Sequence, residues 1–293
     1  MKMNKCNLCP RECNADREKN LGACTAPDSV KVARAALHQW EEPPISGSRG
    51  SGTVFFSGCP LGCVFCQNRD ISRLKAGKEI SISRLAEIFK ELEAQGAHNI
   101  NLISPTQYTT QIIKALEIAK PNIPVAVNTG GYEKAETVRL WKGYASIFLP
   151  DLKCVSSEIS SRYMGAPDYF ERAMEAIVEM HKLAPTLEYN GDGTLKAGLI
   201  VRHLVLPGHS ADSIKVLEAL DKHLPAGSFL LSLMSQFTPN ENCSNYPEIN
   251  RRVTTYEYEK VLKRALMLAL DGFKQGRSSA KSIYTPPFDL TGV

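Results

Sequence analysis

Six short runs of β-branched and apolar residues, each followed by a stretch with helical periodicity, restrict this chain to a fold assembled from successive βα units. The runs are TVFF at 53–56, NINLI at 99–103, PVAVN at 124–128, SIFLPDL at 146–152, GLIVRHLVL at 198–206 and SFLLSLM at 228–234. In the segment that opens at Ser83, a capping serine precedes Leu85, Ile88, Phe89 and Leu92 on one face, and Gly96 stops the helix. Segments 110–120, 133–141, 169–183 and 213–224 read the same way, and 254–272 supplies a closing helix. Six units are two short of an eightfold barrel. The expected fold is therefore α/β, a partial (β/α)6 barrel of TIM type, which carries its chemistry on the loops that follow the strands. The pattern places this barrel at 51–275, behind a small cysteine-rich head and lead-in at 1–50, with a C-terminal extension at 276–293.

Those post-strand loops hold an unusual set of side chains. Cys59, Cys63 and Cys66 follow the first strand, Ser104-Pro-Thr-Gln the second and Asn128-Thr-Gly-Gly the third. Asp151 and Lys153 end the fourth, Pro207-Gly-His209 follows the fifth, and Ser235-Gln236 the sixth. All six loops are expected on one rim.

The rest of the sequence limits what the thiols can do. At 293 residues, 43% hydrophobic and 23% charged, the chain can bury a substantial core. Its start, MKMNKCNLCPREC, has no apolar run of a secretory signal, and no later stretch reaches the length of a membrane span, so a cytoplasmic location is expected. Disulfides rarely persist there, and nine cysteines cannot all pair. Metal or catalytic roles gain weight. A net charge of +4, with lysines and arginines dispersed among acids, does not point to nucleic acid.

In GCPLGCVFCQN, Cys59, Cys63 and Cys66 leave a tetrahedral zinc one ligand short. A cubic iron–sulfur cluster on three thiolates instead keeps one iron open to an outside ligand, and the flanking glycines let the loop wrap a bulky inorganic core. Loop position and flanking residues favour the cluster. Ahead of the barrel, Cys6, Cys9, Cys13 and Cys24 form C-x2-C-x3-C-x10-C, a set that closes a second metal site. Zinc and 4Fe-4S both suit four thiolates, and spacing does not separate them.

GCPLGCVFCQN resembles the C-x3-C-x-aromatic-C signature of radical S-adenosylmethionine (radical SAM) enzymes. The longer EEPPISGSRGSGTVFFSGCPLGCVFCQN resembles the group related to pyruvate formate-lyase activating enzymes, and the likeness extends over most of the chain. It implies a 4Fe-4S cluster on Cys59, Cys63 and Cys66, with the amino and carboxylate groups of SAM on the remaining iron. Phe65 then helps to form the adenine pocket. A low-potential electron donor such as flavodoxin or ferredoxin is implied, together with a protein or small-molecule substrate that loses a hydrogen atom to a 5'-deoxyadenosyl radical. Activation of a glycyl-radical enzyme is the leading expectation, radical modification or epimerisation of a small molecule the second, and a noncatalytic metal scaffold the third.

The same resemblance assigns the other rim residues. Ser104 and Thr106 stand where relatives carry a glycine-glycine-glutamate segment for the SAM ammonium, and Asn128, with Thr129 beside it, stands where activating enzymes begin with aspartate. Asp151 and Lys153 match an Asp-Leu-Lys segment close to SAM, and Arg202 in VRHLVLPG matches an arginine near the cofactor. Gln236 replaces a frequent histidine and can still bond ribose or adenine. His203 should face away from the rim, because neighbouring strand residues alternate. Cys154 is the candidate hydrogen donor for an epimerase.

Overall fold

The computed structural model describes residues 5–73, 76–274 and 286–293 of the chain. Its strands are β1 Val30–His38, β2 Ser51–Phe56, β3 Lys78–Ile80, β4 Ile100–Ile103, β5 Val125–Thr129, β6 Ile147–Pro150, β7 Glu188–Tyr189, β8 Leu195–Leu204, β9 Leu230–Met234 and β10 Gly272–Lys274. The sheet runs β10-β9-β8-β6-β5-β4-β2-β1-β3, with β7 paired to β8. From β2 to β10 every neighbouring pair on that path is parallel, and β1 and β3 add an antiparallel edge. This is the α/β partial barrel expected from the βα repeats, and the six expected strands are β2, β4, β5, β6, β8 and β9.

Two differences have local causes. The segment expected as one helix over 254–272 forms a helix only over Thr255–Met267, and its end turns into β10. Gly272 permits this: a Cβ there would lie 1.9 Å from Leu231 O, so no other residue lets the backbone come so close to β9. Strand β1 was hidden because its register shifts between Val32 and Arg34, which breaks the period-two alternation that marks a strand.

Helix ends follow local chemistry. Ser81, two residues before the expected cap, has the capping role, its Oγ accepting from Arg84 N at 3.0 Å ahead of the helix Ile82–Ala94. Leu85, Ile88, Phe89 and Leu92 of that helix are fully buried, each worth roughly 1.5–3 kcal/mol of burial. Thr254 and Glu257 form a reciprocal capping box on the helix Thr255–Met267.

Alternation along the strands divides the core into two layers. Val54, Leu102, Val127, Phe148, Leu199, Val201 and Leu231 pack with the helices. Their neighbours Ala126, Ile147, Leu149, Ile200 and Leu230 form a separate cluster inside the barrel, with Ile45 of the short helix Pro43–Ser46 as a plug. Asn99 Nδ2 holds the plug by donating to Ile45 O at 2.7 Å. The carboxyl ends of the strands extend beyond this packed floor and surround a cavity.

Candidate active site

The cavity measures about 660 Å³ and is walled by the carboxyl ends of β2, β4, β5, β8 and β9, by β10, by residues that follow β2, β4, β5, β6 and β9, and by residues that follow β1. Cys59, Cys63 and Cys66 all line it, and so do Phe65, Ser104, Asn128, Thr129, Asp151, Lys153, Arg202 and Gln236. The structure thus brings together nearly every rim residue singled out in the sequence. Thr106 and Cys154 do not reach the wall, and neither do Gln107, Ser235 or the Pro207-Gly-His209 loop.

Neighbours hold the cysteine loop from several directions. Val64 N donates to Tyr163 O at 2.9 Å, Cys66 N to Cys63 O at 3.2 Å, and Asn240 Nδ2 to Cys66 O at 3.3 Å. Phe65 lines the cavity beside the third thiol and is backed by the buried Phe237, with ring centroids 6.1 Å apart. Gln107 supports the same loop from behind: its Nε2 lies within 3.0 Å of the carbonyls of Ser57, Gly58 and Ser104. Sequence reasoning gave Gln107 no role, because its part depends on where the distant carbonyls of Ser57 and Gly58 meet that of Ser104. Ser104 adopts φ 56, a left-handed conformation that costs a non-glycine residue about 1–3 kcal/mol and that this bracket sustains.

Burial pushes the Cys63 thiol up to about 12 and raises Cys59 further, with the neighbouring thiols adding to the effect. Thiolates at Cys59 and Cys63 therefore need positive charge beside them, which a metal centre supplies directly. Three sulfurs on one wall, with no fourth cysteine among the described lining residues, fit a cluster that keeps one corner for an outside ligand.

Charge on the remaining walls is organised in pairs. Lys153 Nζ lies 2.5 Å from Asp151 Oδ2; burial works against the ammonium, but Asp151 and the Cys63 thiol outweigh it and hold the lysine charged. On the adjoining strand, where it is bridged to Asp151, Arg202 donates through Nε and Nη2 to the two oxygens of Glu42, at 2.8 and 2.7 Å, through Nη2 also to Glu41, and through Nη1 to Asn128 Oδ1 at 3.0 Å. Glu42 is buried, yet the guanidinium keeps its carboxyl below the usual range. Glu41 and Glu42 were missed as site residues, although the EEPP run lies in the segment that carried the family resemblance. The mark that would reveal them is an acidic pair immediately before the plug helix.

Thr106 is corrected by its contacts. Its hydroxyl donates to Glu133 Oε1 at 2.5 Å, and Thr129 Oγ1 donates to the same oxygen at 2.6 Å. Glu133 is buried with no cation in hydrogen-bond contact among the described residues, and burial raises its carboxyl to about 7 against the two hydroxyl bonds. Cys154 is 1% exposed beneath the rim, where burial raises its thiol, so it cannot return hydrogen to a substrate in this cavity. His203 faces the helices, as alternation required, with its Nδ1 2.7 Å from Leu152 O. His209 is also away from the cavity, its Nε2 3.0 Å from Tyr163 Oη.

A partial barrel with a three-thiol loop after its first parallel strand defines a class of cluster-bearing enzymes, and comparison with known proteins specifies the class. Residues 53–220 match the Radical SAM superfamily, and the chain belongs to that superfamily. It is 32% identical over 276 residues to the uncharacterized protein MJ0674 of Methanocaldococcus jannaschii, a match that spans 91% of this chain and 75% of the relative. A pyruvate formate-lyase-activating enzyme of Clostridium pasteurianum is 24% identical over 222 residues, 64% of this chain and 92% of that enzyme. Among solved structures, methylornithine synthase (PylB) superposes with a TM-score of 0.51 at 14% identity, covering 80% of this chain and 68% of its own. SuiB of Streptococcus suis, solved with S-adenosylmethionine, superposes at 0.50 and 14% identity over 74% of this chain, which spans about half of SuiB (48%). These two show the fold. The family implies a 4Fe-4S cluster and SAM, and the donor set described above fits both. No helix of the described residues is long and apolar enough to cross a membrane.

Proposed function

We propose that this chain is a radical SAM enzyme that removes a hydrogen atom from a partner protein, the activation of a glycyl-radical enzyme being the reaction its features support best. The observation that carries this reading is the single cavity wall shared by Cys59, Cys63 and Cys66, facing the ion pairs of Asp151 with Lys153 and of Arg202 with Glu42. Likeness to a pyruvate formate-lyase-activating enzyme supports the choice of partner. Loss of Cys154 from the cavity wall removes the return donor that an epimerase reading relied on.

When bound, the reduced 4Fe-4S cluster and SAM supply the chemistry, an electron that cleaves a carbon–sulfur bond of the sulfonium and yields a 5'-deoxyadenosyl radical. The residues of the chain bind and orient. Cys59, Cys63 and Cys66 would hold the cluster, and the Phe65 ring, backed by Phe237, suits a purine face. Asn128, Arg202 and Gln236 would offer polar groups to ribose and to the amino-acid end of SAM, and the Asp151–Lys153 pair would offer one charge of each sign, whereas the Thr129 hydroxyl is turned to Glu133. About 660 Å³ accommodates a nucleoside-sized cofactor and admits a substrate loop past Trp40, which is 58% exposed on the cavity wall. A low-potential one-electron donor of the flavodoxin or ferredoxin class completes the system.

The test is anaerobic: the reconstituted chain, a reductant, SAM and a glycyl-radical enzyme carrying deuterated glycine. Deuterium in 5'-deoxyadenosine is the expected result. Transfer only from a labelled small molecule would replace this substrate class, and absence of SAM cleavage under reduction would leave a noncatalytic scaffold.

A further inference from the structure

Four cysteines of the head lie outside the cavity, and the proposed function does not use them. Their loops converge. Cys6 N donates to Ala15 O at 2.9 Å and closes the segment that carries Cys6, Cys9 and Cys13, while Glu12 N donates to Cys9 O at 3.1 Å inside it. Glu12 and Asn14 take left-handed backbone, φ 43 and 48, to complete that fold-back. Thr25 N, bonded to Gly22 O at 2.9 Å, turns Cys24 toward the same place. Gly22 stands between the two halves: a Cβ added to it would lie 2.9 Å from Cys13 Sγ and 4.0 Å from Cys24 Sγ, so the missing side chain keeps open the space those sulfurs face. Arg17, 6% exposed, brings a buried guanidinium to 3.9 Å from Cys6 Sγ, which suits an anionic centre.

Zinc on four thiolates needs each sulfur about 2.3 Å from one point. Among the described residues no group of three or more Cys, His, Asp or Glu side chains is placed to hold a single metal ion, the head thiols and the central trio alike. Sulfurs set around a space suit an iron–sulfur cube, whose bulk also accounts for the glycine.

The head is bonded to the loop of the central trio. Cys59 N donates to Cys24 O at 3.1 Å, and Gly58, at φ 86, allows the approach because a Cβ there would lie 2.8 Å from the same carbonyl. Arg73 donates to Ala23 O at 3.2 Å and to Leu61 O, and Arg11 donates to Pro60 O at 2.8 Å and Met164 O at 3.1 Å. One backbone hydrogen bond therefore joins a head ligand to a central ligand.

We propose that Cys6, Cys9, Cys13 and Cys24 bind a second iron–sulfur cluster, and that its assembly fixes the Cys24 carbonyl and with it the position of Cys59. The metal site stands on the head residues alone; its influence on Cys59 rests on the radical SAM reading of the central trio.

The full chain, reconstituted anaerobically with ferrous iron and sulfide, tests this through metal content and electron paramagnetic resonance. About eight iron and eight sulfide per chain are expected, and about four of each in the triple variant C59A/C63A/C66A. The double variant C9A/C13A should also keep about four, and its signal alone should shift on adding SAM. Gly22→Ala should lower head iron at least about twofold while the SAM-responsive signal stays. SAM cleavage in C9A/C13A should fall about 10- to 100-fold, as for the loss of a group that orients a metal ligand. Four iron with one zinc in the wild-type chain, or four iron alone, would overturn the second cluster whether or not the variants fold. An unchanged cleavage rate in C9A/C13A would overturn the link to Cys59. Eight iron without any SAM cleavage would instead sink the proposed function and leave the head site standing.

Discussion

The two groups of thiols meet across the bond from Cys59 N to Cys24 O, yet they are built for different ends. On one side three cysteines open onto a cavity of about 660 Å³ lined by paired charges and an aromatic wall. On the other, Cys13 and Cys24 flank Gly22 in a head of four cysteines, none of which lines that cavity. A cluster short of one protein ligand can take a substrate or cofactor atom at its open corner. One with four ligands cannot, and contributes structure or electrons instead. Ligand number and access, more than thiol chemistry, separate the roles.

The largest expected effect breaks this comparison directly. Cys63→Ala should reduce methionine and 5'-deoxyadenosine formation to background, while Cys9→Ala should leave measurable cleavage, as followed by chromatography of anaerobic reactions. Equal loss in both variants would erase the distinction between the two regions.

Arg202→Met examines the cavity wall. It leaves Glu42 buried beside Glu41 without their cation, and breaking a buried pair in this way costs about 3–5 kcal/mol. Urea unfolding of the apo chain should show that loss, and Glu42→Gln in the same background should recover part of it. A stability change confined to a few tenths of a kcal/mol would mean that the pair contributes little.

Glu133 lies at the boundary, since its Thr129 partner lines the cavity while its own charge reaches Cys9. Burial raises its carboxyl from the model-compound 4.5 to about 7, so the fold favours the protonated form. The associated stability is fully present below about pH 4.5 and is lost as pH rises through 7. Glu133→Gln should therefore be about 3 kcal/mol more stable than the parent at pH 8 and indistinguishable from it near pH 4 in urea unfolding. The reverse pH trend would show that Glu133 is ionised in the native chain.

Much of this architecture could be read from residue order. The helix 169–183 and the strands around TVFF, NINLI and PVAVN emerged because each has one strong period and a clear face. β10 did not, since three residues establish no period and its place depends on Gly272 lying against Leu231. Of the rim residues, Phe65, Ser104, Asp151, Lys153 and Gln236 follow strands and Asn128 and Thr129 end one, so strand order was enough to bring them to one cavity, whereas Arg202, inside β8, was marked by the family resemblance. Thr106 follows β4 as well, but one turn of 3-10 helix carries it behind the wall to Glu133. Cys154 stands one residue past Lys153, and that one step takes it from the cavity into the core.

By itself the sequence determined the βα repeat, the three-thiol loop after the first parallel strand and the four-thiol head, because period and short spacing are local properties that a chain carries before it folds. Only the tertiary structure decided that Glu41 and Glu42 face Arg202, that Gln107 gathers the carbonyls of Ser57, Gly58 and Ser104, and that Cys24 O meets Cys59 N. Apart from the local Gln107–Ser104 bond, those contacts join residues 35 to 161 positions apart in the chain, and closure of the sheet, not any local pattern, selects which distant polar groups must satisfy one another once water is excluded.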